Sequence, residues 1–329
     1  KGRVIMHVIT DKAKKAPKKV VFPEGNSVRI MKAAQITHNQ GIARPILLGS
    51  NDVLQKVAAE HDIDISGIAI IDPVSSERRQ LYAEKYYEKR TRKGITADMA
   101  NWIMRDRTYF GLMMLEMGDC DAFLSGVSSD YPTTIRPALE CISLRKGVSR
   151  VSGLFAMIQK DKVYYFADTT VNINPSAEEL AEIAISSANV ARAFNVEPRI
   201  AMLSFSNFGS ARYPESEKVA RATAIVKQKA PDLVVEGEMQ ADTALLPEYM
   251  AKHFPFSRLK EEANVLIFPD LNSGNIAYKL AKILGGMTAV GPILMGLAKP
   301  VHVLHRTLDV AEIVDMAAIA VVDAQQMAR

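Results

Sequence analysis

The chain has 329 residues, 41 basic and 37 acidic side chains, a net charge of +4 and 48% hydrophobic residues. That charge is too mild and dispersed for a nucleic-acid binder but suits an anionic metabolite. No apolar run reaches the ~18–20 residues that span a membrane. The length accommodates two domains, each with its own core. Two cysteines, Cys120 and Cys141, and six scattered histidines form no metal spacing and no disulfide framework. A reducing cytoplasm is the expected location, with both thiols as buried fillers and no bound metal.

Residues 12–19 (KAKKAPKK) are basic and broken by Pro17, with no signal-peptide core. They read as a helical surface arm or, equally, as a linker; residues 1–19 are taken as linker or arm. From Val20 onward strands and helices alternate. Residues 19–25 are a β run closed by Pro and Gly, 27–39 a helix, 44–49 a strand, 51–61 a helix and 68–73 a strand. Residues 75–102 are largely helical with an interruption near Gly94, 106–117 a helix and 121–126 a strand. Arg136 is placed at the opening of the next helix, with Pro137 in its first turn. Repeated βα units imply parallel sheets with helices on both faces.

A second series starts near Val151. Residues 151–159 and 163–167 read as a hairpin across Lys160-Asp161-Lys162. Ser176-Ala177-Glu178-Glu179 has the spacing of a capping box and opens a helix to Phe194. Strands follow at 199–204, 233–235 and 265–268, with helices at 213–230 and 275–284. Residues 291–300 read as a glycine-punctuated loop before a short strand, 301–304. His305-Arg306 stands at that strand's end, ahead of a helix over 309–324. The domains are therefore 1–148 with 299–329, and 149–298, two lobes leaving a cleft as the default ligand site.

Five strand-end constellations could carry chemistry. Residues 204–211 (SFSNFGSA) offer hydroxyls and N–H groups at a helix start, an anion site or an ordinary capped turn. Residues 125–129 with Thr133, Thr134 and Arg136 could grip a phosphate. Glu236, Glu238 and Asp242 are acids that could hold a metal or act as bases, or simply complement a helix dipole. Residues 270–279 are another strand–loop–helix with polar groups at the turn, Asn275 opening the helix. The fifth is His305-Arg306 with Glu312 beyond it.

These residues also carry a resemblance. Val20-Val21-Phe22-Pro23-Glu24-Gly25, Thr134-Ile135-Arg136-Pro137-Ala138-Leu139, Asn174-Pro175-Ser176-Ala177-Glu178-Glu179, Gly237-Glu238-Met239-Gln240-Ala241-Asp242 and Gly291-Pro292-Ile293 occur in order. With them the chain resembles the phosphate acetyltransferase family over essentially its whole length. The resemblance implies two α/β lobes of the isocitrate dehydrogenase kind with mainly parallel sheets around a central cleft, homodimers or higher homo-oligomers, and reversible acetyl transfer between coenzyme A and phosphate. It places catalysis on Arg306, Glu312 and His305. Ligand binding falls to Arg90, Thr134, Arg136, Ser204, Ser206, Gly209, Ser210, Asn275 and Arg306, without a metal.

The sequence also departs from that family. The active enzymes look like L-S-R-G-C where this chain has Leu304-His305-Arg306-Thr307-Leu308, and Glu312 stands for the family's aspartate base. Lys282-Ile283-Leu284 replaces a Q-R-L stretch, and Asn207-Phe208 crowds the serine loop. These departures resemble the C-terminal domain of large NADP-dependent malic enzymes. The leading expectation is thus a regulatory module that senses acetyl-CoA beside an N-terminal malic enzyme domain. NADP and a divalent metal would reside only in that other domain, and the missing Met and basic start fit an excised piece. The alternatives are an active phosphate acetyltransferase acting on acetyl phosphate or its butyryl counterpart, and a fold relative that binds another phosphorylated metabolite.

Overall fold

The structure, a computed structural model, describes residues 3–129 and 131–327. The chain divides into two compact units, Met6–Lys146 with Leu297–Arg329, and Gly147–Gly296 with Lys1–Ile5. The chain-order elements are α1 (Arg3–Lys15), β1 (Lys19–Phe22), α2 (Val28–Asn39), β2 (Arg44–Leu48), α3 (Asn51–Glu60) and β3 (Ala69–Ile71). Then come α4 (Arg79–Arg90), a 3-10 turn (Thr91–Lys93), α5 (Ala97–Ile103), α6 (Arg107–Glu116), β4 (Ala122–Ser125) and α7 (Tyr131–Cys141).

The other unit holds β5 (Ser152–Gln159), β6 (Lys162–Ala167), α8 (Ala177–Ala193), β7 (Arg199–Leu203), α9 (Pro214–Lys229) and β8 (Val234–Met239). It continues with α10 (Ala241–Leu245), α11 (Pro247–His253), β9 (Val265–Ile267), α12 (Leu271–Ile283) and β10 (Thr288–Met295). β11 (Val301–Val303) and α13 (Val310–Met327) return to the first unit.

The first unit has a wholly parallel sheet in the order β11-β4-β1-β2-β3. Its inner strands are continuous apolar runs because both faces are covered. Val20, Val21, Phe22, Phe123 and Leu124 are completely buried, each contributing roughly 1.5–3 kcal/mol of hydrophobic stabilisation. The second sheet runs β10-β5-β6-β9-β7-β8. Its β5–β6 hairpin and β10 are antiparallel, and β6, β9, β7 and β8 are parallel. In both sheets the parallel strands deliver their C-terminal loops to one edge, where such folds hold ligands.

Four sequence expectations change. The N-terminal segment is no open linker: α1 buries Ile9 and Ala13, and the Gln325 amide donates to the carbonyls of Lys12, Ala13 and Ala16. Arg136 lies inside α7, which runs Tyr131–Cys141 with Pro137 internal to it, rather than at the helix opening. Residues 291–295 are strand: Gly291-Pro292 sits at a register shift of the edge strand β10, where a missing N–H costs no ladder bond. Finally, α12 starts at Leu271, one turn before the expected Asn275, with the Asp270 carboxylate accepting from Ser273 N–H at 2.8 Å.

Candidate functional site

In the first unit the loops after β1, β4 and β11 meet at the C-terminal edge of the sheet. Leu304 N–H donates to the Ser125 carbonyl at 2.7 Å. Gly126 is required there, because its φ is +128° and a Cβ would lie 2.5 Å from the Leu304 carbonyl oxygen. The loop after β4 wraps a carboxylate: Glu24 accepts from the N–H groups of Gly126 (2.8 Å), Val127 (3.1 Å) and Ser128 (2.7 Å) and from the Ser125 hydroxyl (3.3 Å). Arg29 on α2 ties the neighbouring loop down, donating to the carbonyls of Arg306 (2.7 Å), Leu308 (2.7 Å) and Val127 (3.3 Å).

His305 and Arg306 stand on this fixed backbone with exposed side chains. The Arg306 guanidinium makes no hydrogen bond or ion pair among the described residues. His305 Nδ1 lies 2.7 Å from the Thr307 hydroxyl and accepts from Thr307 N–H at 3.3 Å. With Nδ1 turned to Thr307, Nε2 is the ring nitrogen left to donate.

A second cluster gathers two of the expected arginines on a carboxylate that sequence reading missed. Glu140 is 3.1 Å from Arg136 and 3.7 Å from Arg90, and it accepts from the hydroxyls of Tyr86 (3.1 Å) and Tyr109 (2.8 Å). Burial would raise the Glu140 carboxyl, but the Tyr109, Arg136 and Tyr86 hydrogen bonds and the Arg90 charge outweigh it and hold it below the usual range. Arg90 keeps a buried Nε without a partner. Two cations on one carboxylate leave a net positive group able to meet a phosphate. The available signal for Glu140 was its i+4 spacing from Arg136. Thr134 is buried, its hydroxyl 2.9 Å from that of Ser129.

Glu312 has a role the sequence reading missed. Its Oε2 accepts from Asp309 N–H, and its own N–H donates to Asp309 Oδ1, both at 2.8 Å, which is a capping box at the start of α13. The other carboxylate oxygen has no hydrogen-bonding partner among the described residues. One turn on, Asp315 has its carboxyl raised to about 6, by burial first and then by the charges of Glu312 and Asp309, against a smaller opposing effect of His7. Sequence reading missed Asp315 too, since its shift arises from packing. Both thiols are inert, because burial pushes Cys120 and Cys141 well up.

In the second unit the serine loop is occupied by the chain's own carboxylate. Glu238, buried within β8, accepts from Gly209 N–H (2.5 Å) and the Ser206 hydroxyl (3.0 Å). Ser204 Oγ accepts from Ser206 N–H at 3.3 Å, and Ser210 Oγ accepts from Asn207 N–H at 2.9 Å. Glu238 thus takes the Gly209 N–H and the Ser206 hydroxyl, while the Ser204 and Ser210 oxygens accept within the loop. Phe208 points instead against Phe254 and Phe256, with ring centroids at 5.0 and 4.9 Å. Glu236 and Glu238 are strand residues rather than helix-start acids, and Glu236 pairs with Lys227 at 2.9 Å. Asn275 donates to the Thr169 carbonyl at 3.0 Å, tying α12 to the loop after β6. That loop closes on Asp168, which accepts from Gly153, Thr170, Val171 and Asn172 N–H groups. Among the described residues no cluster of three His, Cys, Asp or Glu side chains could hold a metal.

The model of the phosphate acetyl/butaryl transferase family matches residues 4–321. The chain belongs to this family. It is 43% identical over 328 residues to the phosphate acetyltransferase of Thermoanaerobacterium thermosaccharolyticum, covering 98% of this chain and 99% of that protein. The phosphate acetyltransferase of Nitratidesulfovibrio vulgaris is 43% identical over 317 residues, and there the chain spans only 45% of the relative's length. The solved phosphotransacetylase from Streptococcus pyogenes superposes with a TM-score of 0.95 at 39% identity, covering 98% of this chain and 99% of that one.

These findings overturn the leading expectation of a regulatory, acetyl-CoA-sensing module of a malic enzyme. The relatives it matches from end to end are phosphate acetyltransferases in their own right. The comparisons lend no support to a malic enzyme partner domain with NADP and a divalent metal. Among the described residues no helix is long and apolar enough to cross a membrane.

Proposed function

We propose that this chain catalyses reversible acetyl transfer between coenzyme A and phosphate. The observation that carries the reading is its match to a phosphate acetyltransferase over 99% of that relative's length. The free oxygen of Glu312 takes the proton of the coenzyme A thiol. The thiolate attacks the carbonyl carbon of acetyl phosphate, and the carbonyl electrons move onto oxygen, where His305 Nε2–H donates to the oxyanion. As the carbonyl re-forms, the C–O bond to phosphate breaks and the phosphate leaves with the electron pair, its charge met by Arg306 and by the Arg90–Arg136 pair. The proton on Glu312 then passes to solvent or to the departing phosphate.

The two departures from the family can both serve this chemistry. His305 offers a donor where a serine hydroxyl would stand. The extra methylene of Glu312 is taken up by folding back to the Asp309 N–H, so the carboxylate is held by its helix end. Thr134 supports the loop after β4 through Ser129. Ser204, Ser206, Gly209, Ser210 and Asn275 shape the loops on which ligand contacts in their own unit depend.

The test is formation of acetyl-CoA from acetyl phosphate and coenzyme A by the purified chain. The proposal expects turnover of order 1–10³ s⁻¹. A rate no higher than that of the uncatalysed mixture would overturn it.

A further inference from the structure

The first unit contains a cavity of about 580 Å³ away from the edge that carries His305 and Arg306. Lys19 and Arg44, the first residues of β1 and β2, stand at its mouth. His305, Arg306 and the Glu24-filled loop all follow the C-terminal ends of parallel strands. The cavity therefore opens at the opposite end of this sheet. Its volume falls within the range of small-molecule sites.

The walls differ from one end to the other. The floor is apolar and set in the core: Ile46 of β2, Tyr82 of α4, and Phe110 and Met114 of α6. The rim carries three cations, Lys19, Arg44 and Arg78, against one carboxylate, Asp119. Asp119 is already neutralised, because Arg78 grips it with paired N–H bonds, 3.1 Å from Nε and 2.7 Å from Nη2, and Tyr82 donates its hydroxyl to the same group. Arg44 has no hydrogen-bonding or ionic partner for its guanidinium among the described residues. Lys19 stands beside it on the adjacent strand, in register with Arg44.

We propose that this cavity is a second binding site, for an amphipathic organic anion: a single carboxylate held by Arg44 and Lys19, with an apolar body of about ten carbons lying on the Ile46–Phe110–Met114 floor. With Arg78 committed to Asp119, Arg44 and Lys19 are left to meet the ligand's charge. Because the mouth and the His305–Arg306 loop lie at opposite ends of one sheet, the two sites fill independently.

Calorimetric titration of the full chain with decanoate, with and without saturating coenzyme A, tests this. Decanoate should bind one saturable site, with a Kd changed by no more than about twofold by coenzyme A. Arg44→Gln should weaken binding by about tenfold or more and leave acetyl transfer unaltered. Ala69→Phe, which fills the cavity from the exposed edge strand, should abolish binding, and circular dichroism melting checks that both variants fold. The proposal is overturned by absence of saturable binding at millimolar decanoate, by displacement with coenzyme A, by undiminished binding to Arg44→Gln, or by equal affinity for 1-decanol. Every result that overturns the proposal is a binding measurement, so the proposal stands or falls whether or not the chain transfers acetyl groups.

Discussion

At the residue scale the account rests on a few charges whose settings differ. Arg306 is exposed and unpaired on a backbone that Arg29 fixes, which suits a group that acts only when substrate arrives. Arg306→Ala should lower kcat by about 10²–10³, the usual cost of removing a preorganised charge-stabilising donor. Arg306→Lys should recover only part of that, since an ammonium cannot reproduce the fork. Equal kcat for wild type and Arg306→Ala in steady-state assays would remove Arg306 from the mechanism.

Asp315 gives a pH prediction. Its folded carboxyl is raised to about 6 from an ordinary 3.8, so the folded state binds the extra proton between those values. Stability therefore falls as pH rises through this window and levels off above it. Asp315→Asn removes the penalty. The variant should unfold like wild type below about pH 4 and be more stable above pH 6, by order 1 kcal/mol after allowance for partial exposure. Identical urea midpoints at pH 7.5 would contradict the assignment.

At the scale of elements, three strand-end loops close on carboxylates from the chain itself: Glu24, Asp168 and Glu238. These carboxylate partners lie beyond what the sequence reveals locally. A Ser- and Gly-rich turn with several N–H donors looks the same whether its anion is a bound phosphate or a side chain from elsewhere. Glu24 is 102 residues from Gly126, and Glu238 is 29 from Gly209, so no local pattern reveals the partner. Capping shows the same limit. Ser176–Glu179 was legible as a box from its spacing and is one, whereas Asp309–Glu312 has that spacing too and was read only as catalytic. Gly291-Pro292 looked like a loop because a proline denies a central strand, yet β10 is an edge.

Glu24 makes these loops testable. Its Oε2 accepts from Gly126 and Val127 and its Oε1 from Ser128. In Glu24→Gln an amide NH2 must face at least one of those N–H groups. The substitution should cost about 1–3 kcal/mol in urea unfolding and also lower activity, because the loop frames His305 and Arg306. A variant as stable as wild type would show the carboxylate to be incidental.

For the whole molecule, most of the architecture was legible because buried parallel strands are unbroken apolar runs and helices keep their 3.6-residue period. The sequence break was placed near Ser149 and Ala298, and the compact units divide at 146/147 and 296/297. The function was less legible. Read by resemblance, His305 and Glu312 replace a serine and an aspartate, and those two departures count for more in the sequence than the overall match. In the structure Thr307 engages His305 Nδ1 and Asp309 N–H engages one Glu312 oxygen, and the proposed chemistry uses the other nitrogen and the other oxygen.

The most direct measurement is therefore initial-rate acetyl-CoA formation from acetyl phosphate and coenzyme A, with wild type, His305→Ala and Glu312→Ala side by side. The account predicts wild-type turnover of order 1–10³ s⁻¹ and a drop of about 10²-fold or more in each variant. A wild type that binds coenzyme A yet turns over no faster than its variants would contradict it.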